Sequence, residues 1–600
     1  MNLITEHTFH IPVMGLGFTI DTPLKVGHLG ISSVVSIVED HLIEDMREVI
    51  CKNEKIDFIP ILKTEDDYRA KRISAYLNLL DLLVKRNTEA LKHEKFTEGS
   101  SICRYFELLP ENSNAKKLFC DMLLQGGEQR EKSQEVLREY IVPGAIDVNI
   151  MTKVDKTNYD AKGEALPQEY SDALSALRGF AKSKLSSAVV FSAGLNPRLY
   201  SYCEKFADFF PPLNKKKIIL KVSDYRSALI QGKFLAKKGL WVSEFRIESG
   251  LNCGGHAFAS EGLLLGPILE EFKNRRDELY IELYETCVSG LAAKGLAFGQ
   301  RPDFRISAQG GIGTALEDQF LRSFYELNAT GWGSPFLLVP ESTSVDNDTL
   351  MKLAAATPQD YYLSHSSPLG VPFNNFRPSS SEIQRKSRIA KNRPGSPCYL
   401  KFLSFNTEFT EKPICVASRE YQNLKIKQLK EKIEDPEELN TEITRIVEKD
   451  CLCEGLGTSA RLSNKGSLSH GLKAVAVCPG PNLAYFSGIF SLKEMVDHIY
   501  GRTNILNSIY RPHMFINELK LYVDYLKKEV EDSLKNFDQK RNASLWNFKV
   551  NLLKGIEYYF EKIVPIFSPI RDASDDFAQQ LMAFKAGLNL IYIENNQVQR

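Results

Sequence analysis

Short apolar runs recur through the first 345 residues, each separated from the next by a stretch of helical periodicity. Eight runs centre on Pro12–Leu16, Ser33–Val38, Ala145–Met151, Ala188–Ala193, Ile218–Val222, Val242–Ile247, Phe304–Ala308 and Trp332–Val339. Most are apolar on both faces, the pattern of parallel strands buried between an inner core and covering helices. Strands alternating with helices predict an α/β design, and eight strands close a (β/α)8 TIM barrel.

Two segments break the alternation. Residues 51–140 are mostly charged, and Ile73, Tyr76, Leu77, Leu80, Leu83 and Val84 recur at three- and four-residue spacing. They predict a helical insertion after the second strand, either covering one end of the barrel or serving as a lid. In the tail, Leu519, Val523, Leu526, Val530 and Phe537 form one stripe, and Leu545, Phe548, Leu552, Ile556, Tyr559 and Ile563 a second, ended by Pro565. A third helix is expected to open near Asp572 or Ser574. Such stripes suit docking on the barrel or on a second copy, so a homodimer through the C-terminal helices is one expectation. The expected organisation is a barrel from 1–50 and 141–395, the insertion 51–140, a Cys-containing barrel-associated extension 396–500, and a C-terminal helical bundle 501–600.

Composition narrows the partners. The 600 residues carry 76 Lys+Arg against 76 Asp+Glu, which gives no general attraction to nucleic acid or to an anionic membrane. No apolar run approaches the ~18 residues needed to cross a bilayer. Met1–Met14 lacks the charged start and continuous apolar stretch of a signal peptide. Eleven scattered cysteines fit reduced thiols in a cytoplasmic compartment. Among Cys398, Cys415, Cys451, Cys453 and Cys478, only Cys451-x-Cys453 is closely spaced, which does not suit a four-ligand cage, so no metal is expected.

The candidate chemistry lies where strands end. The run Ile306–Ala308 leads into Gln309-Gly310-Gly311-Ile312-Gly313-Thr314, and a helix is expected from about Ala315. Glycines let the backbone approach an anion, and free N–H groups at a helix start point at it. About twenty residues later comes Gly331-Trp332-Gly333-Ser334-Pro335-Phe336. Phosphate sites in (β/α)8 barrels are commonly built from the loops after strands seven and eight, where both glycine sites fall. A third element, Gly250-Leu251-Asn252-Cys253-Gly254-Gly255-His256, follows the sixth run. It would put an imidazole suited to proton transfer on the ligand side of the barrel. Cys253 beside it is read as packing rather than as a nucleophile, and His365 as a loop histidine.

These segments resemble the FMN-dependent nitronate monooxygenase (2-nitropropane dioxygenase) family and the related FMN-dependent enoyl-acyl-carrier-protein reductases. Gly254-Gly255-His256 resembles the family's two glycines before a catalytic histidine. Gln309-Gly310-Gly311-Ile312 and Gly333-Ser334-Pro335-Phe336 resemble its phosphate loops, Asp147-Val148-Asn149 its valine-asparagine strand, and Cys451–Leu456 a segment near its end. The chain departs from the pattern in carrying Asn252-Cys253 before Gly254 and Trp332 before Gly333.

The resemblance implies FMN across the barrel mouth. Its phosphate would lie on Gly310, Gly311, Gly333 and Ser334, and its ring near Gly15, Asn149, Gly254 and Gly255, with His256 as acid/base. Lys221 would either face the ring's electron-rich edge or end its strand in solvent. The implied activity is oxidation of a small nitronate-like substrate by way of flavin and O2. The alternatives are an enoyl-thioester reductase with NAD(P)H as electron donor, or a non-catalytic scaffold that keeps the phosphate cradle.

Overall fold

The computed structural model of the chain describes residues 5–593, leaving out 161, 193, 253–260, 467, 469, 470, 536, 537 and 568–570. Eight parallel strands close into a barrel in sequence order, with β1 hydrogen-bonded to both β2 and β8. The strands are β1 Phe9–Ile11, β2 Ser32–Ser36, β3 Ile146–Met151, β4 Ser187–Ser192, β5 Lys216–Val222, β6 Val242–Glu248, β7 Arg305–Gln309 and β8 Ala329–Gly331.

Two strands differ from the sequence expectation. β1 ends before Pro12, which has no N–H to give a ladder. β8 stops at Gly331, and Ser334–Leu338 is a short 3-10 helix with proline in its first turn. The apolar residues read there as a strand, Phe336 to Val339, are buried against the core from that helix instead.

The helices that matter for the site are, in chain order, α1 Asp40–Asn53, α2 Tyr68–Lys92, α3 Ser101–Leu108, α4 Asn114–Leu124, α5 Gly127–Tyr140, α6 Asp172–Lys182, α7 Leu265–Asn274, α8 Ala315–Phe324, α9 Leu452–Ser463, α10 Met514–Lys535, α11 Gln539–Tyr558 and α12 Arg571–Leu590. Within the insertion, α2 is the element that docks. Its Ile73 lies where a Cβ on Gly179 of α6 would come within 2.7 Å, so the two helices pack at glycine distance. Buried ion pairs seat the same helix, with Arg72 on Asp40 of α1 at 2.9 Å and Arg69 on Asp172 of α6. The remaining insertion helices enclose an apolar cluster of their own around Phe106 and Phe119.

The C-terminal stripes are buried within the chain. Leu519, Val523 and Leu526 of α10 and Leu552 and Ile556 of α11 belong to the same core as the barrel strands. A small antiparallel hairpin, β9 Tyr361–Ser364 and β10 Phe373–Phe376, stands apart from the barrel sheet. Among the described residues, no helix is long and apolar enough to cross a membrane.

Candidate functional site

A cavity lies at the C-terminal ends of the barrel strands, the end where the connecting loops of this fold build ligand sites. Gly15 after β1, Ser36 of β2, Asn149 of β3, Ser192 of β4 and Lys221 of β5 line its floor. Leu369, Phe402, Leu452, Leu456 and Cys478 close it from above. Gly15 has φ +56°, and a Cβ there would press on Phe18 at 3.2 Å, so its turn needs glycine for both conformation and space. No described residue between 51 and 140 lines this cavity.

Most of the wall is apolar, which makes its polar groups informative. Asn149 is 4% exposed, and its Oδ1 has no hydrogen-bond partner among the described residues. A buried amide left without a partner costs about 1–3 kcal/mol, so such a group is usually waiting for a ligand or water. Lys221 neither ends its strand in solvent nor presents a free cation. Its ammonium lies 2.6 Å from Oε1 of Glu248, and both side chains are about nine-tenths buried. The same oxygen accepts from Gln309 Nε2 at 2.6 Å and from Asn252 Nδ2. Glu248 thus ties β5, β7 and the loop after β6 together at the rim.

Glu248 escaped the sequence reading, as did the rest of its strand face. Glu244, Arg246 and Glu248 alternate at period two and share one side of β6, inside the barrel. Arg246 bonds Glu244 and Asp147, each at 2.7 Å, and Ser307 donates to Glu244 at 2.7 Å. Burial works against the Glu244 carboxylate, yet Arg246 beside it brings the pKa down to about 2. Burial lowers His10 to about 3, so its ring is neutral there, 3.3 Å from Gln309. The strand was read as apolar on both faces; the inner one is a paired charge network.

The two glycine loops come together beyond the rim. Gly310 and Gly311 have φ +107° and +81°. Cβ atoms there would meet Asn252 N at 2.9 Å and Leu251 Cδ1 at 2.6 Å, so the loop after β6 packs directly on them. Three carbonyls of the β7 loop are occupied from the C-terminal part of the chain. Gly311 O accepts from Arg511 at 2.8 Å, Ile312 O from Asn482 at 2.9 Å, and Gly313 O pairs with His498 Nε2 at 2.9 Å.

The N–H groups of Gly310, Gly311 and Ile312, and of Gly333 and Ser334, have no hydrogen-bond partner among the described residues. Unpaired N–H groups at buried positions are rare in folded chains, and a cluster of them is a seat for an anion. Gly480 completes the wall. Its N–H donates to Ser334 Oγ at 2.7 Å, and it stands so close to Leu251 O that a Cβ would fall at 2.4 Å. Two residues earlier, Cys478 lines the mouth cavity.

A carboxylate and a guanidinium hold this region from behind. Glu317 of α8 accepts Gly313 N–H at 2.9 Å and Met514 N–H at 2.7 Å, and Arg511 binds it through both nitrogens at 2.7 and 2.8 Å. Burial opposes the Glu317 charge, and Arg511 outweighs it, so the group stays ionised with a lowered pKa. In charge and donor geometry the residues fit a flavin mononucleotide: backbone donors for a dianion at one end, and an apolar slot with one unsatisfied amide at the other.

Gly254, Gly255 and His256, with Cys253, lie outside the described residues. His365 sits half-buried on a second cavity with Tyr361, Tyr485 and Lys528, which shares no lining residue with the mouth cavity. Cys398, Cys415, Cys453 and Cys478 are buried in one apolar cluster with Phe402 and Leu403 over the mouth. Among the described residues, no group of three or more side chains is arranged to hold a metal.

No family model matches the chain, and no curated protein does. Solved structures similar to it include the enoyl reductase domain of MlnA from the macrolactin biosynthesis cluster of Bacillus amyloliquefaciens. That match has 14% identity and a TM-score of 0.32, covering 62% of this chain and 84% of that one. A nitroalkane oxidase from Streptomyces ansochromogenes is similar at 8% identity and a TM-score of 0.34, over 82% of this chain and 94% of that one. At such identities and scores, no property of this chain is drawn from them.

Proposed function

We propose that this chain is an FMN-dependent oxidoreductase of the nitronate monooxygenase type, acting on a small organic substrate at the barrel mouth. The observation that carries the reading is the set of unpartnered N–H groups at Gly310–Ile312 and Gly333–Ser334, beside a cavity that holds Gly15, Asn149 and Lys221. The backbone donors would hold the phosphate, and Asn149 would offer its amide to the polar edge of the ring. Lys221, paired with Glu248, would lie near that edge. Phe402, Leu452 and Leu456 would keep water off the ring face. Bound flavin would accept electrons from the substrate and pass them to oxygen.

His256 would take or return a proton at its ring nitrogen. An imidazole, whose ordinary pKa lies near neutrality, suits that task. His256→Ala should leave FMN bound and lower turnover by ~10²–10⁴. The reading is tested first on purified protein. A yellow chromophore, or uptake of added FMN with a flavin absorption band, is the expected result, and colourless protein that takes up no FMN overturns it. Anaerobic NADH then separates the alternatives, since bleaching without a nitro substrate would favour an enoyl reductase.

A further inference from the structure

Part of the roof of the mouth cavity is a loop whose two limbs are tied together. Ser396 N–H donates to Ala417 O at 3.0 Å, and Arg419 N–H donates to Ser396 O at 2.8 Å. Further in, Asn406 and Ile414 exchange both of their backbone bonds, at 3.0 and 2.8 Å. Between these two ties, Cys398 stands on one limb and Cys415 on the other. The limb that starts at Cys398 carries Phe402 and Leu403, which line the cavity.

The two cysteines face each other across the loop. Both are buried, in one apolar cluster with Phe402 and Leu403. The Cys415 thiol donates a hydrogen bond to the Cys398 sulfur. Cys398 has φ +54° and Lys401 φ +57°, a backbone region that residues other than glycine seldom occupy. Such strain collects where a chain is held for a purpose. The hydrogen bond from Cys415, helped by the N–H of Lys401, holds the Cys398 thiol below its usual range although burial works the other way. A thiol of that kind is the one that ionises and attacks. Cys453 of the same cluster lines the mouth cavity, so a small uncharged molecule in that cavity lies next to this group.

We propose that Cys398 and Cys415 are a redox pair, which a peroxide entering by the mouth joins in a reversible disulfide that cinches the roof. Cys398, as thiolate, attacks one peroxide oxygen. The O–O bond breaks, and the released hydroxide takes up the proton that Cys398 lost and leaves as water. The Cys415 sulfur then attacks the Cys398 sulfur. The S–O bond breaks, the S–S bond forms, and the departing hydroxyl leaves as a second water with the Cys415 proton. Two thiols are oxidised by two electrons in all, and one peroxide is reduced to two waters. A dithiol reductant reverses the bond by exchange. Joined there, the limbs hold Phe402 and Leu403 over the cavity. The bridge does not depend on the flavoenzyme reading, whereas its effect on flavin release does.

Mass spectrometry of the full-length protein tests the proposal. The protein is treated with hydrogen peroxide, unfolded, alkylated with iodoacetamide and digested without reduction. The expected product is a cross-linked peptide pair joining Cys398 to Cys415, lighter than the separate peptides by two hydrogens and lost on adding dithiothreitol. Both cysteines fully alkylated, Cys398 over-oxidised without a partner, or Cys398 bridged to Cys451 or Cys453 overturns it. Cys415→Ser should leave Cys398 as a sulfenic acid that dimedone traps, and Cys398→Ser should leave nothing to trap at Cys415; the reverse pattern overturns the assignment of the attacking sulfur. In hydrogen exchange, peptides within 399–405 should exchange about tenfold more slowly in the oxidised protein, with β2, β3 and β4 unchanged. Equal rates in the two forms overturn the cinch. FMN release from the oxidised protein should be about threefold slower. A protein that takes up no FMN defeats the flavoenzyme reading, while the cross-link still decides the pair.

Discussion

Asn149 was singled out from its place in a motif, and what the fold adds is the state of its amide. With Oδ1 unpaired at 4% exposure, the burial of its carbonyl is not offset by a hydrogen bond within the described residues. Asn149→Ala should therefore leave urea stability unchanged or slightly raised, and weaken FMN binding about five- to tenfold in a fluorescence titration. Lys221 behaves in the opposite way. Lys221→Met leaves Glu248 charged and nine-tenths buried, which should cost about 3–5 kcal/mol in urea unfolding. Adding Glu248→Gln should recover most of that loss, because the residual cost comes from the orphaned charge. Glu248 carried no signal in the motif search; only the period-two row Glu244-Arg246-Glu248 hinted that β6 turns charge inward.

The β7 loop is the element on which the cofactor reading turns. Its carbonyls are held by Asn482, His498 and Arg511, which leaves its N–H groups turned to other use. Arg511→Met removes one of those restraints and leaves Glu317 buried without its partner. The expected outcome is weaker FMN retention on gel filtration together with a lower melting temperature. Gly311→Ala isolates the loop from the brace. A Cβ at φ +81°, 2.6 Å from Leu251, forces either the loop or the leucine to move. FMN affinity should fall by at least tenfold, with little change in urea stability, because the strain stays local. The β7 loop could be read from sequence because the conformation of Gly310 and Gly311 demands glycine. The brace could not, since its partners lie some 170 to 200 residues away in sequence.

At the scale of the whole molecule, buried titratable groups set an acid limb of opposing parts. Burial lowers His7 and His513 to about 4 and His10 to about 3. Their unfolded value is about 6.5, so the unfolded chain takes those protons first and stability is lost as pH falls below that value. Glu518 has the reverse sign. Burial raises it to about 7, so the folded chain holds that proton more firmly, and stability declines as pH rises from the ordinary carboxyl range toward 7. Glu518→Gln removes the opposing part. Its melting temperature should climb more steeply than wild type between pH 5 and 7, and parallel curves would show that Glu518 does not titrate there.

The alternation of apolar runs determined a parallel eight-stranded design, because strands buried on both faces are mostly apolar, and β6 departs from that only by pairing its inner charges. Glycines at special φ marked the turns where a ligand could sit, and helical periodicity marked the insertion and the tail as helical, although the second tail helix runs past Pro565 to Phe567. Tertiary structure decided the rest. Whether Lys221 is free or paired, which carbonyls are already taken, and what the tail grips all depend on contacts between different elements, from 27 residues apart for Lys221 and Glu248 to 269 for Ser249 and Glu518. Nothing local to Lys221, Glu317 or Glu518 encodes its partner. The pairing free energy exists only once the barrel has closed and excluded water from both groups.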